Sequence, residues 1–341
     1  MMTKFTFAAA LGLSVFTATG ALAQGTEPPI RTLSLHVGTV AGGTNDMLMR
    51  LVGRHIGKHL PGNPSVVPKN MPGAGGRKLA AYLFHQAPAN GSELGVFQRA
   101  VTTDPLLVDP KLLFEIPKFT WIGSPSSTTD ICAVWHTSPV QSVEDLTKTE
   151  LILAGSGGET AQMNLVRLLL GGKMKSIIGY QGGAEMMLAL QRGEAHGRCA
   201  LSWEASKTQY KQMLDDKQFK PIVQFALTKA ADLPHVPLIT DYAKTELDRQ
   251  ALEIILAPQE VGFPFVGPPG LTPAMTTLLR KSFVDSMTDP ELIADANKLS
   301  FELRPVSGEH LEQRLKAVYA FPPAVVARAK ELIGEPGPTP P

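Results

Sequence analysis

The stretch Leu35–Gly57, "LHVGTVAGGTNDMLMRLVGRHIG", decides how this chain is read. Its first residues belong to an apolar run, Leu33 to Gly38, that reads as a buried strand. A glycine-rich turn follows. Beyond it Met47, Leu48, Leu51, Val52, Ile56 and Leu60 recur at helical spacing, which predicts a helix over Asp46–Leu60. Strand, turn and helix in this order open a unit of parallel sheet. The turn has no Lys, and neither GxGxxG nor GxxxxGK[ST] is present, so the usual nucleotide-phosphate signatures are missing.

The same rhythm runs outward. A short strand is expected at Ser65–Pro68, a glycine-rich loop in "NMPGAGG", a helix over Lys78–Gln86 and a strand over Leu94–Gln98. It restarts with a strand at Asp130–His136 and a helix capped by Ser142 with Asp145 at its third position. Next come a strand at Glu150–Gly155, a turn and helix ended by Gly171, and the strand "MKSIIGY". A further turn and helix precede the strand "GRCALSW", and this second unit runs to about Phe225. After the Pro/Gly-rich Gly262–Ala274, helices are expected over Ala274–Leu299, starting at Thr272-Pro273, and over Ser307–Ile333. The chain should cross between two α/β units near Gly123–Thr129 and return near Gly262–Pro269, leaving a hinged cleft. The expected division is 1–23 leader, 24–127 with 259–341 as one lobe, and 128–258 as the other.

The opening "MMTKFTFAAALGLSVFTATGALAQ" has a charged Lys4, a short apolar core and the small-x-small Ala21-Leu22-Ala23, as a cleaved export signal requires. The cut falls before Gln24. The apolar run is too short to span a bilayer, so the mature chain is expected to be periplasmic and not inserted in the membrane. The whole chain carries 32 basic and 31 acidic side chains. Lys4 is the one charged residue of the leader, so the mature chain balances to zero and lacks the cationic excess that nucleic acid requires. Cys132 and Cys199 fall in one unit, and export permits a disulfide between them; two buried thiols are the alternative.

In an open parallel sheet a ligand lies beyond the carboxyl ends of the strands, where helix N-termini present free N–H groups to an anion. Three glycine turns have this form: Val40-Ala41-Gly42-Gly43-Thr44-Asn45, Ser156-Gly157-Gly158-Glu159-Thr160, and Tyr180-Gln181-Gly182-Gly183. Thr44, Asn45, Ser156 and Thr160 add side-chain donors, while Asp46 reads as a capping carboxylate of its own helix. Arg99 follows a strand and has the fork to meet a ligand carboxylate. Ser202, Tyr180 and Trp203 are candidate pocket walls. His55 and His59, four apart on one helix, have no third metal ligand in the pattern and read as helix-surface residues. No serine has a recognisable histidine and acid set beside it, so no catalytic residue, metal or cofactor is expected.

Four segments resemble one family in order. "VAGGTNDMLMRLV", "VVPKNMPGAGG", "GYQGGAEMMLALQRGEAHG" and "FPFVGPPGLTPA" are similar to motifs of the Bug family, the TctC-like periplasmic receptors of tripartite tricarboxylate transporters. The resemblance spans about Leu33 to Tyr319. It implies a type II periplasmic-binding-protein fold, two doubly wound α/β lobes with a ligand cleft between them. It also implies a small organic or aromatic carboxylate as ligand, and the membrane subunits of such a transporter as partner; signalling to a membrane sensor kinase is the alternative. Gly42, Gly43 and Asp46 match the family's first loop directly, whereas Thr44 and Asn45 replace its Gly and Thr. Gly157–Thr160 takes the place of its Gly-Ser loop. Tyr180, Gly182 and Gly183 match its Tyr-Lys-Gly loop, with Gln181 in place of the Lys.

Overall fold

A computed structural model describes residues 30–155, 159–180 and 182–334. The chain forms strands β1 (Thr32–Val37), β2 (Ser65–Asn70), β3 (Glu93–Val96), β4 (Thr120–Ser124), β5 (Asp130–Trp135), β6 (Leu151–Gly155), β7 (Met174–Ile178), β8 (Gly197–Ser202), β9 (Phe219–Phe225), β10 (Phe265–Gly267) and β11 (Val306–Ser307). They assemble into two sheets, ordered β11-β4-β10-β3-β1-β2 and β7-β6-β8-β5-β9.

β1 is the buried axis of the first sheet. Leu33, Leu35 and Val37 are fully buried against Met49, Val52 and Ile56 of the helix Thr44–Ile56. Burying side chains of this size stabilises by roughly 1.5–3 kcal/mol each, which is why the apolar spacing after the glycine turn settles as helix. The "PGAGG" loop serves packing: a Cβ on Gly38, at the end of β1, would stand 3.0 Å from the Cα of Gly76. Two glycine loops therefore touch backbone to backbone behind the sheet end.

The sheets are mixed, where the repeated strand–helix order had suggested parallel ones. β1, β2 and β3 are parallel, as are β6, β7 and β8. β10 enters from the return crossing and runs antiparallel between β3 and β4, and β5 enters straight from β4 to run antiparallel to β8 and β9. Both crossings and β11 meet at one place. Arg304 N donates to Pro125 O at 3.0 Å, and a Cβ on Gly262 (φ 64°) would lie 1.9 Å from Ser126 O. Only glycine fits that contact between the outgoing and returning chains.

Several helices are shorter than their spacing suggested. The Ser142 helix is only a 3-10 turn, Glu144–Thr147, because Asp145 turns back to accept the amides of Gln141 and Ser142. Asp289-Pro290 splits the next into Pro273–Met287 and Pro290–Lys298, and Pro322-Pro323 splits the last into Gly308–Tyr319 and Pro323–Ile333. Proline removes the hydrogen bond that would carry each helix through. The last helix does not follow the first sheet. Val325, Ala329 and Leu332 pack in the core of the second, and Arg328 pairs with Asp248 at 2.7 Å. Cys132 on β5 and Cys199 on β8 are joined by a disulfide across adjacent strands, Cα atoms 4.0 Å apart. Among the described residues no helix is long and apolar enough to cross a membrane.

Candidate functional site

The carboxyl ends of β1 and β3 face the start of β5 and the end of β8 across the two crossings. A cleft opens there as three adjoining cavities that share Arg99. One, of about 340 Å³, is lined by Thr39, Gly43, Thr44, Asn45, Gln98 and Phe263 among others. The largest, about 460 Å³, reaches from Gly42, Thr44 and Asn45 to Ser202 and Ala205 on the opposite lobe. The third, about 300 Å³, lies between Thr103 and Asp104 on one side and Asp130, Gln162 and Gln259 on the other.

The first turn is built to hold its shape without a ligand. Asp46 is 3% exposed and accepts the amide of Gly42 at 2.9 Å, Arg50 Nε at 3.0 Å and Asn70 Nδ2 at 2.8 Å. Burial opposes its ionisation, but the bonds from Arg50, Gly42 and Asn70 outweigh it and hold its pKa below the usual value. Its oxygens are thus spent inside the turn, and Asp46 supports the site without lining it. Gly43 caps the helix with no side-chain bond, and a Cβ there would meet nothing closer than Val40 O at 3.9 Å. The amides of the first helical turn have no partner within the helix, and its macrodipole favours negative charge at that end. Asn45 Nδ2 donates to Phe97 O at 3.3 Å, which ties the turn to β3. Val40 and Ala41 stand at the exposed tip, Val40 being 67% exposed.

Arg99 is engaged already. Its Nη2 donates to Asp130 Oδ1 at 2.8 Å and Oδ2 at 3.0 Å, and Gln259 Nε2 donates to the same carboxylate at 3.2 Å. Asp130 opens β5 and Gln259 ends the helix Glu246–Val261, so this pair fastens the first lobe to the second. Arg99 also lines all three cavities. Ser202 caps the helix Trp203–Gln209, accepting the amide of Ala205 at 3.3 Å, and lines the large cavity. Trp203 is buried and donates to Asp232 at 2.9 Å, which makes it packing.

Ser156, Gly157, Gly158 and Gln181 lie outside the described residues. Thr160 starts a helix of six residues, Thr160–Leu165, whose Ala161 and Gln162 line the Arg99–Asp130 cavity. Tyr180, Gly182 and Gly183 follow β7, the edge strand. Tyr180 packs beside the second-lobe cluster, and burial together with Glu194 raises its pKa. Gly183 lies against Tyr210 and Arg198: its Cβ would stand 2.8 Å from the Tyr210 hydroxyl.

His55 and His59 are not free surface residues. His55 is 4% exposed with Nε2 3.2 Å from Asp295 Oδ2, and His59 Nε2 lies 3.1 Å from Asp289 Oδ2. His55, Asp289 and Glu291 are close enough to share a cation, but the Lys58 ammonium already pairs with Glu291 and lies 3.4 Å from His55 Nδ1. Asp130, Gln259, Phe263 and Phe301 were missed by sequence reasoning. Phe263 alone carried a signal, since it sits in the predicted return crossing.

No family model and no curated protein matches this sequence. Solved structures do. A TctC solute-binding protein from Polaromonas is 18% identical with a TM-score of 0.66, over 89% of this chain and 98% of that one. Rpa4515 of R. palustris, solved with adipate, is 22% identical with a TM-score of 0.59, over 89% and 96%. MatC from Rhodopseudomonas palustris, with bound malate, is 18% identical with a TM-score of 0.57, over 90% and 100%. The periplasmic binding protein BugD is similar too, at 20% identity and a TM-score of 0.56, over 89% and 98%. This chain has the two-lobe α/β fold of the TctC- and Bug-type periplasmic solute-binding proteins.

Proposed function

We infer that the protein is an exported receptor that captures a small carboxylate between its lobes and delivers it to the membrane subunits of a tripartite tricarboxylate-type transporter. The observation that carries this reading is the open N-terminal turn of the helix Thr44–Ile56, facing Arg99 in a cleft lined from both lobes. A carboxylate placed there meets helix amides, the Thr44 hydroxyl, the Asn45 amide and the outer guanidinium of Arg99. The adipate and malate held by two proteins of the same fold support the ligand class. The signal sequence supports export, with cleavage before Gln24. Binding would draw the lobes together, because contacts to both exist only in the closed form. The residues committed to this work are Gly42, Gly43, Thr44, Asn45 and Arg99 on one lobe and Ser202 on the other. Of the second-lobe turns, Ser156, Gly158, Thr160, Tyr180 and Gly182 are proposed to join them on closure, while Gly183 makes room for Tyr210.

A thermal-shift screen of mono-, di- and tricarboxylates on the mature protein tests the reading. A ligand that binds only the folded state raises the unfolding temperature by mass action, by about 2.7 kcal/mol of added stability at a hundred times its Kd. At least one carboxylate should do so. A screen in which carboxylates leave the transition unmoved while sugars or amines raise it would overturn the assignment.

A further inference from the structure

The large cavity has two kinds of lining. Gly42, Thr44, Asn45, Arg99 and Ser202 are its polar part, of which the Gly42 amide and the Ser202 hydroxyl already donate to Asp46 and Glu204. Phe263 and Phe301 are its apolar part and meet edge to face, ring centroids 5.9 Å apart at 73°, with Met47 and Leu299 also in the lining. This apolar wall is built into the fold. The Phe263 amide donates to the buried Ser124 hydroxyl at 2.9 Å, and Gly262 locks the backbone before it. Ser300 adopts φ 53°, which turns the chain so that the Phe301 amide reaches Ala296 O at 2.9 Å. Phe263 and Phe301 then pack with Leu48, Leu51 and Ala296 as one cluster.

The rim beside this wall holds Glu204, Lys207 and Glu302, and its charges are already matched. Lys207 Nζ bonds Glu302 at 2.9 Å and Asp232 at 2.8 Å, while Glu204 pairs with Arg304 and accepts the Ser202 hydroxyl at 2.9 Å. A second carboxylate on the ligand would face two acidic side chains and two phenyl rings, and the Lys207 ammonium beside them is already shared by Glu302 and Asp232. Its desolvation would go uncompensated. An apolar body would instead cover Phe263, Phe301 and Met47.

We propose that this receptor selects a monocarboxylate with an apolar body, an aryl-alkyl or medium-chain acid, over compact di- and tricarboxylates. The proposal rests on the receptor reading above and narrows its ligand. The acid head lies at the helix terminus and the body lies on the phenyl pair.

The test is calorimetric titration of the mature protein with a matched set: hexanoate, adipate, 3-phenylpropionate, malate and citrate. Hexanoate and adipate share a six-carbon chain and differ by one terminal carboxylate. Hexanoate and 3-phenylpropionate should bind at least about tenfold tighter than adipate, and malate and citrate weaker still. In Phe301→Asn the affinity for 3-phenylpropionate should fall about tenfold, with Phe301→Leu restoring most of the loss for hexanoate. Circular dichroism on both variants confirms that the fold is kept. Adipate, malate or citrate binding as tightly as hexanoate, or tighter, overturns the proposal and leaves the receptor reading standing. Absence of binding by every acid overturns both.

Discussion

The glycine turn after β1 and the one after β7 look alike in sequence, yet they do different things. The first begins a helix of 13 residues, props itself with the Asp46–Arg50–Asn70 set, and leaves open space over Gly43. The second begins a helix of nine residues on an edge strand, and Gly183 is pressed against Tyr210. Gly43 in the first leaves room for a guest, while Gly183 in the second, one residue past the open Gly182, leaves room for a neighbouring side chain. Position in the sheet makes the difference. β1 is an interior strand, held between β3 and β2, and ends at the cleft, whereas β7 is the outermost strand of its sheet.

The largest effect expected from breaking this comparison is at Gly43. Its φ is −78°, which any residue adopts, and its Cβ direction is open. Gly43→Leu should therefore leave the unfolding temperature nearly unchanged while weakening carboxylate binding about a hundredfold or more, on the order of 3 kcal/mol. Calorimetry beside a melting curve reads both. Unchanged affinity would show that the space over Gly43 is not the ligand's.

The disulfide comes next. It ties β5, which leads out of the cleft, to β8, which leads into it. Replacing both Cys132 and Cys199 by Ser should cost about 2–4 kcal/mol of stability, seen as a lower denaturant midpoint, with binding retained. A smaller effect is expected at Gly183. Gly183→Ala should cost about 1 kcal/mol as Tyr210 shifts, without the loss of affinity seen at Gly43. Equal loss of affinity in both variants would erase the distinction between the turns.

The smallest effect is a pH slope. His36, on β1, is 3% exposed, lies 3.0 Å from Glu93, and is kept below its ordinary pKa chiefly by burial. The unfolded chain therefore takes up its proton more readily. The stability His36 supplies is complete above pH about 6.5 and is lost as pH falls toward the folded value. His36→Gln should flatten the stability profile just below that pH. A profile equally steep in the variant would assign the slope to another group. Asp46 and Asp248, both held low by hydrogen bonds that outweigh burial, act only further down, below the usual carboxylate range.

What could be read from the sequence follows from locality. The strand–turn–helix at Leu35–Gly57 and the two crossings each rest on neighbouring residues, and periodicity or turn chemistry reports them directly. Strand direction was not legible, because β10 takes its orientation from a return that begins 141 residues after β4 ends (Ser124 to Phe265), set by where Gly262 meets Ser126. The same holds for the site. Gly43, Thr44 and Asn45 were visible as a helix start. The pairing of Arg99 with Asp130 and Gln259, and the meeting of Phe263 with Phe301, join segments far apart in the chain that no spacing rule connects. His55 and His59 were misplaced for a like reason: the carboxylates that bury and hold them come from the distant Asp289 and Asp295.

The account stands on the first turn of the helix Thr44–Ile56 receiving an acid. Backbone amide shifts recorded by NMR during titration with 3-phenylpropionate test it most directly. The account predicts saturable shifts that are largest at Gly43, Thr44 and Asn45, with the Arg99 side-chain signal moving in step. Saturable binding that leaves those amides unmoved and shifts residues remote from the cleft would contradict it.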